Sequence, residues 1–599
     1  MSQYKTREEI ESTYKWDIET MFPSDEVLEK TFDAVDELTE EISNYMGRVC
    51  ESGETLLKIF KTRDQIWRKV SNLYTFTRMK KDEDNRESKY QGLFDRAVSS
   101  NVAAESLMSY IGPEILSHDE SKVMGFLNEV KGLEVYRFYL SELFRQKEHT
   151  LSDKEERLLA MSGELAAGPR SIFTMLNNAD IKFRKVKDET GKEIELTKGN
   201  YIKFLESPDQ TVRADAFAAF YESYKYVKNT VATTLIASFK KDAFYSKMRQ
   251  YPTSLERALD DDFVPTDVYN NLIGTIHNRM DLMHEYVSLR KKMLKLDELH
   301  MYDLYTPLVG EVKRSIPYKE AREMVSAGLK PLGEDYLSIL KEGFESKWID
   351  VYETEGKTSG AYSWGTFDSK PFVLLNYQDN LNYVFTLAHE MGHSIHSYLS
   401  KKNQDFINSN YKIFVAEVAS TVNESILMQS LLKQDISKKE RMFLLNHFME
   451  QFKGTVYRQT MFAEFEKLAH GQVDDGQAVT MDSLSEQYYE LNKAYFGDHV
   501  VVDDDIRYEW MRIPHFYNAF YVYKYATGFS AAIAISQRIL KEGQPAIDDY
   551  MKFLKSGGSD HPIELLKIAG VDMTTPQPIE EALSVFEGII KEMNELIEV

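Results

Sequence analysis

Residues 379–398 read as one helix carrying His389-Glu390-Met391-Gly392-His393, and no other stretch restricts the chain as much. Imidazoles at i and i+4 project from one helical face, roughly 40° apart and one turn from each other, and can close on a single metal ion. Glu390 then sits where it can work on water at that ion. Val384, Leu387, Ala388, Met391, Ile395 and Tyr398 form an apolar stripe at helical spacing, while His389, His393, His396, Asn382 and Thr386 fall opposite. With 13 His and 96 acidic residues in the chain, roughly 0.05 chance occurrences of His-acid-x-x-His are expected, so the pattern stands above background.

A tetrahedral catalytic ion takes three protein ligands and keeps one position open. Downstream, Glu417 lies within Phe414-Val415-Ala416-Glu417-Val418-Ala419-Ser420-Thr421, a run too apolar for a solvated face. Its carboxylate is therefore expected to be buried and either paired or metal-bound. Glu424, seven residues on, projects from much the same face and is expected to orient a ligand imidazole. A purely structural ion would need a fourth ligand. His396 is the nearest candidate, but its i+3 position suits packing or hydrogen bonding better.

The strings His389-Glu390-Met391-Gly392-His393-Ser394-Ile395-His396-Ser397 and Phe414 to Thr421 resemble the oligoendopeptidase F branch of the thimet oligopeptidase-like zinc metallopeptidases. The likeness runs over most of the chain. It includes Gly360-Ala361-Tyr362-Ser363-Trp364-Gly365 and Lys370 to Asn376 before the helix, and Pro514-His515-Phe516-Tyr517 and Phe520 to Gly528 after it. The resemblance implies one Zn2+ per chain on His389, His393 and Glu417, with Glu390 as the catalytic acid/base. It also implies oxyanion donors: Tyr523 by its place in the tyrosine run, and His515 and Tyr517 on a spacing shorter than in the thimet-type branch. The implied fold is mainly α, a large multi-helix two-lobed body enclosing a substrate channel, with a small β-sheet beside the zinc. The implied activity is hydrolysis of internal bonds in short oligopeptides. A peptidyl-dipeptidase or carboxypeptidase-type exopeptidase would share the metal set, and a catalytically silent helical peptide-binding scaffold is the alternative outside enzymes.

The rest of the chain is consistent with that frame. Residues 1–199 read as an N-terminal helical lobe ending in a β-hairpin over 181–196, and residues 200–599 as the catalytic domain. Ser24 marks a helix start, Leu28, Val35, Leu38, Ile42 and Tyr45 make a seam, and Gly47 makes a stop. Residues 358–365 and 372–376 are the best strands of the second half, and an edge strand there would hold an extended peptide by its main chain. His284-Glu285 begins a decoy of the motif, but Ser288 stands where the second His is required. The net charge of -23 counts against nucleic acid or an anionic membrane as partner. A single cysteine, Cys50, excludes an intramolecular disulfide, and there is no run of about 18 apolar residues. With no apolar segment near Met1, the expected location is the cytoplasm, and oligomeric state is left open.

Overall fold

Local sequence rules set the first helices. Ser24 is extended and its side chain accepts the Val27 amide, so the chain turns into a helix over Asp25–Ser43. Its buried positions are Leu28, Phe32, Val35, Thr39 and Ile42, so Leu28, Val35 and Ile42 of the expected seam are buried, Phe32 and Thr39 join them, and Leu38 and Tyr45 are only half-buried. Gly47, at φ +81°, turns the chain beyond the helix end, a conformation that costs glycine little.

The structure, a computed structural model, describes residues 4–310 and 314–598. It is 71% helical with few short strands, the mainly α class expected. The strands are β1 (Lys185–Lys187), β2 (Glu193–Glu195), β3 (Ile349–Asp350), β4 (Tyr362–Trp364) and β5 (Phe372–Leu374). Among the described residues, no helix is long and apolar enough to cross a membrane.

The described residues group into two compact units, each built from three separate segments. Residues 4–148, 314–431 and 535–571 form the first. In it the helices Asp25–Ser43, Gly53–Glu83 and Ser88–Met108 share a core with a sheet of order β3-β5-β4. β3 runs parallel to β5, pairing Ile349 with Val373, and β4 runs antiparallel to it, pairing Trp364 with Phe372. Ring contacts of Trp16 with Phe372 and of Tyr74 with Trp364, at 6.3 and 6.0 Å, join helices to strands. A buried charge cluster anchors the sheet: Asp350 takes Lys357 Nζ at 2.7 Å and Arg7 Nη1 at 2.5 Å. β4 is tied to the motif helix by the hydroxyls of Ser363 and Ser394, 2.8 Å apart.

Residues 149–310, 432–534 and 572–598 form the second unit. Its longest helix, Gln210–Met248, is buried along much of its length and carries Arg213, which is paired with Asp303 at 2.8 Å in the interior. The expected hairpin is present, with Val186 opposite Ile194. The acidic triplet 260–262 closes the short helix Ser254–Asp260, and Asp262 pairs with Lys524 at 2.6 Å.

Candidate active site

The motif helix spans Leu381–Asn403 and starts where the Asn380 side chain accepts the Tyr383 amide. His389 and His393 bring their Nε2 atoms to 3.2 Å of each other. Glu417 lies at the junction of the short helix Ile413–Ala416 and the helix Val418–Leu432. Its Oε2 stands 3.4 Å from His389 Nε2 and 3.3 Å from His393 Nε2.

Two residues that the sequence reading passed over create this approach. Gly392 faces the backbone of the Glu417 segment: a Cβ on it would meet Ser420 Cα at 2.6 Å and Ala419 O at 2.7 Å. Only the absence of a side chain lets the two helices come this close. Ser420 then holds that carboxylate, its hydroxyl donating to Glu417 Oε2 at 3.1 Å and to Glu417 O at 2.9 Å.

Two expectations need correction. Val415, Val418 and Ala419 are fully buried, but the Glu417 side chain is 46% exposed. Adjacent helical residues point about 100° apart, so the apolar run packs the helices while Glu417 turns away from it toward the imidazoles. His396, placed on the polar face by the helical wheel, is 1% exposed and stacks on Tyr411 with ring centres 3.8 Å apart. The motif helix is covered on more than one side, and a two-faced wheel misassigns such a position.

Electrostatics differentiate the carboxylates. His389 donates Nδ1–H to Glu424, which leaves Nε2 directed at Glu417. Burial alone would lower the His389 pKa, but hydrogen bonds to Glu417 and Glu424 and the nearby negative charge raise it well above the ordinary value. Burial likewise works against the charged form of Glu417, yet the two imidazoles hold its carboxyl far below the usual range. Glu390 goes the other way: burial pushes its carboxyl up, and His389 and His393 offset only part of that. It is 6% exposed, and its Oε2 meets no hydrogen-bond partner among the described residues. Asn423, also absent from the sequence reading, fastens the motif helix from behind, donating to Ala388 O at 2.9 Å and accepting the Tyr336 hydroxyl at 2.6 Å.

The remaining predicted donors lie in the second unit. His515 sits exposed on the tight turn Pro514–Tyr517, its ring 6.3 Å from Tyr521 and 6.1 Å from Tyr525, and partial burial lowers its pKa. Tyr517 is turned inward, its hydroxyl 2.6 Å from Thr234 Oγ1 and its ring stacked on Phe173. Tyr523 is 0% exposed and packs its ring 5.1 Å from Tyr269. A continuous helix through this segment would put Tyr517 and Tyr521 on one face. Instead Phe520 adopts φ +55°, its amide held by Glu466 Oε1 at 3.1 Å, and the helix begins only at Tyr523. The break sets Tyr521 and Tyr525 beside His515, and their i, i+4 spacing was the available signal.

Comparison with known proteins gives a consistent result. The family described as Peptidase family M3 matches residues 203–585, and that described as Oligopeptidase F matches residues 114–183. Oligopeptidase PepF of Bacillus subtilis (strain 168) is 48% identical over 596 residues, covering 100% of this chain and 89% of the relative. The crystal structure of oligoendopeptidase-F from Enterococcus faecium is 35% identical with a TM-score of 0.75, covering 96% of this chain and 99% of that one. A crystal structure from Chlamydophila abortus, 34% identical, covers 99% of this chain and 100% of its own with a TM-score of 0.92.

Proposed function

We propose, from the premise that this chain belongs to peptidase family M3 and to its oligopeptidase F branch, that it is a zinc endopeptidase cutting internal bonds of short oligopeptides. One observation carries the reading: three donor atoms converge beside an unengaged buried carboxylate. Zinc bonds of about 2.0–2.1 Å at tetrahedral angles separate ligand atoms by about 3.3–3.4 Å. Nε2 of His389, Nε2 of His393 and Oε2 of Glu417 stand 3.2, 3.3 and 3.4 Å from one another in pairs. Two imidazoles and one carboxylate are a donor set of catalytic zinc and leave a fourth position for substrate or solvent. Bound there, zinc supplies Lewis acidity to the scissile carbonyl and lowers the pKa of the attacking water toward about 7.

The chain's own residues do the rest. Glu390, whose burial raises its proton affinity, takes the proton from the attacking water and passes one to the leaving amine. Glu424 fixes the tautomer and angle of the His389 ring. His515, Tyr517 and Tyr523 are our candidate donors for the oxyanion. His515 has the open ring, and Tyr521 and Tyr525 beside it join the set. β4 pairs with β5 alone among the described residues, so its second edge suits main-chain bonding to an extended peptide. The names of the relatives support oligopeptide substrates. A cytoplasmic location is proposed with support from the single, buried Cys50.

Zinc content and hydrolysis of quenched oligopeptides of graded length, with products sized by mass, test the proposal. Glu390→Gln should keep one zinc per chain and lose at least about 10²-fold in turnover. Unchanged turnover removes Glu390 from the mechanism, and release of terminal residues alone rejects endopeptidase action.

A further inference from the structure

The second unit contains clustered positive charge, partly buried at Arg458 and Arg512 and fully buried at Arg290, that the peptidase reading does not use. Arg458 clamps Glu509 through Nη2 at 2.7 Å and Nη1 at 3.3 Å, and Arg512 Nη2 lies on the same carboxylate at 2.6 Å. The Tyr488 hydroxyl donates to it at 2.6 Å. Two guanidiniums thus share one carboxylate whose oxygens are fully engaged. Alongside, Lys453 and Arg290 share Glu450, with burial bringing the Lys453 ammonium down to about 8, so that it is still mostly charged at neutral pH. Arg213 and Asp303 form a matched pair and add nothing to the excess.

Both groups border one cavity, lined by Tyr201, Tyr221, Lys453, Arg458, Glu509 and Arg512 among others. About 20 Å³ of it is open to the centre of a water-sized sphere. Such a space admits a monatomic ion. Arg512 Nε is buried at its edge and meets no hydrogen-bond partner among the described residues. The phenols do not supply the missing negative charge, because burial keeps Tyr201 and Tyr221 protonated far above neutral pH. Excess positive charge, a buried guanidinium N–H without a partner among the described residues and phenol hydroxyls around a small space form the complement of a small anion.

We propose that this cavity binds one monatomic anion, with chloride as the abundant candidate, held by Arg512, Arg458 and Lys453 and by the Tyr201 and Tyr221 hydroxyls. Arg512 closes the turn Asp504–Arg512, which leads directly into the turn carrying His515. The anion therefore braces the segment from which the proposed oxyanion donors project. Binding is read here without turnover, so its failure leaves the peptidase assignment untouched.

The full-length protein is melted in potassium chloride and in potassium gluconate at equal ionic strength, which removes general screening as a cause. Chloride should raise Tm by about 1–3 °C over gluconate, saturating as a single site, and bromide should substitute for it. Crystals soaked in bromide should show an anomalous peak between Arg512 and Tyr221. Arg512→Gln should abolish the chloride increment. If that variant does not fold, Tyr221→Phe should raise the half-saturating chloride concentration about 3–10-fold. Coincident melting in the two salts, a chloride increment undiminished in Arg512→Gln, or bromide absent from the cavity each overturns the proposal.

Discussion

Replacing Gly392 by alanine tests how the proposed third ligand, Glu417, reaches the imidazoles. The added methyl carbon would lie 2.6 Å from Ser420 Cα, 2.7 Å from Ala419 O and 2.8 Å from Ser420 N, all backbone atoms that cannot rotate away. Ordinary contact begins at 3.4 Å, so in a close-packed interior the two helices must part by about 0.8 Å. Because Ser420 grips both Glu417 O and Oε2, the displacement passes to the ligand carboxylate. A zinc site tolerates about ±0.2 Å in its ligand distances. The fold itself should survive, since overpacking costs about 1–3 kcal/mol and alanine returns about 1 kcal/mol of helix propensity. Zinc affinity should instead fall about 10–100-fold, the loss typical of disturbing the support around a metal ligand. Competition against a chromophoric chelator measures that affinity, and a circular-dichroism melt run in parallel reports folding. A Gly392→Ala protein that folds and binds zinc with parental affinity refutes the argument that close helix approach places Glu417.

Glu417→Ala should lose its zinc on dialysis against a mild chelator that leaves the parent loaded; full occupancy afterwards would count against ligation by this carboxylate. Glu424→Gln keeps an acceptor for His389 Nδ1–H but removes the charge, and zinc affinity should drop about 10-fold; an unchanged titration would reduce Glu424 to packing. For Asp350, burial raises the carboxyl but Lys357 and Arg7 more than compensate, so its folded pKa lies below its unfolded one. Its contribution is therefore complete above the ordinary carboxylate range and is lost as pH falls below about 4. Asp350→Ala should cost about 3–5 kcal/mol at pH 7 by leaving the buried Lys357 without its counter-charge, while Arg7 keeps Glu83 at 2.9 Å. Urea denaturation across pH should then show a shallower acid limb, and a limb as steep as the parent's would exclude Asp350 as its source.

The residues of the candidate metal site were legible in the sequence and those that position them mostly were not. Metal-binding chemistry admits few side chains, so His389, His393, Glu417 and Glu424 announce themselves through type and helical spacing, and the structure brings all four together. Packing has no such alphabet. Gly392 looks like any helical glycine until the partner it touches is known, and that partner lies 27 or 28 residues away in sequence. The Phe520 turn depends on Glu466, 54 residues earlier, which no local pattern reveals. The charge cluster around Arg290 and Glu450 joins residues 160 apart, beyond any periodicity. It follows that substitutions at the announced residues should remove chemistry from a folded protein, whereas substitutions at Gly392 or Ser420 should leave every ligand present and still weaken the metal. A combined Gly392→Ala and Glu417→Ala protein should therefore bind zinc no more weakly than Glu417→Ala alone, because the glycine acts only through the ligand it lets approach.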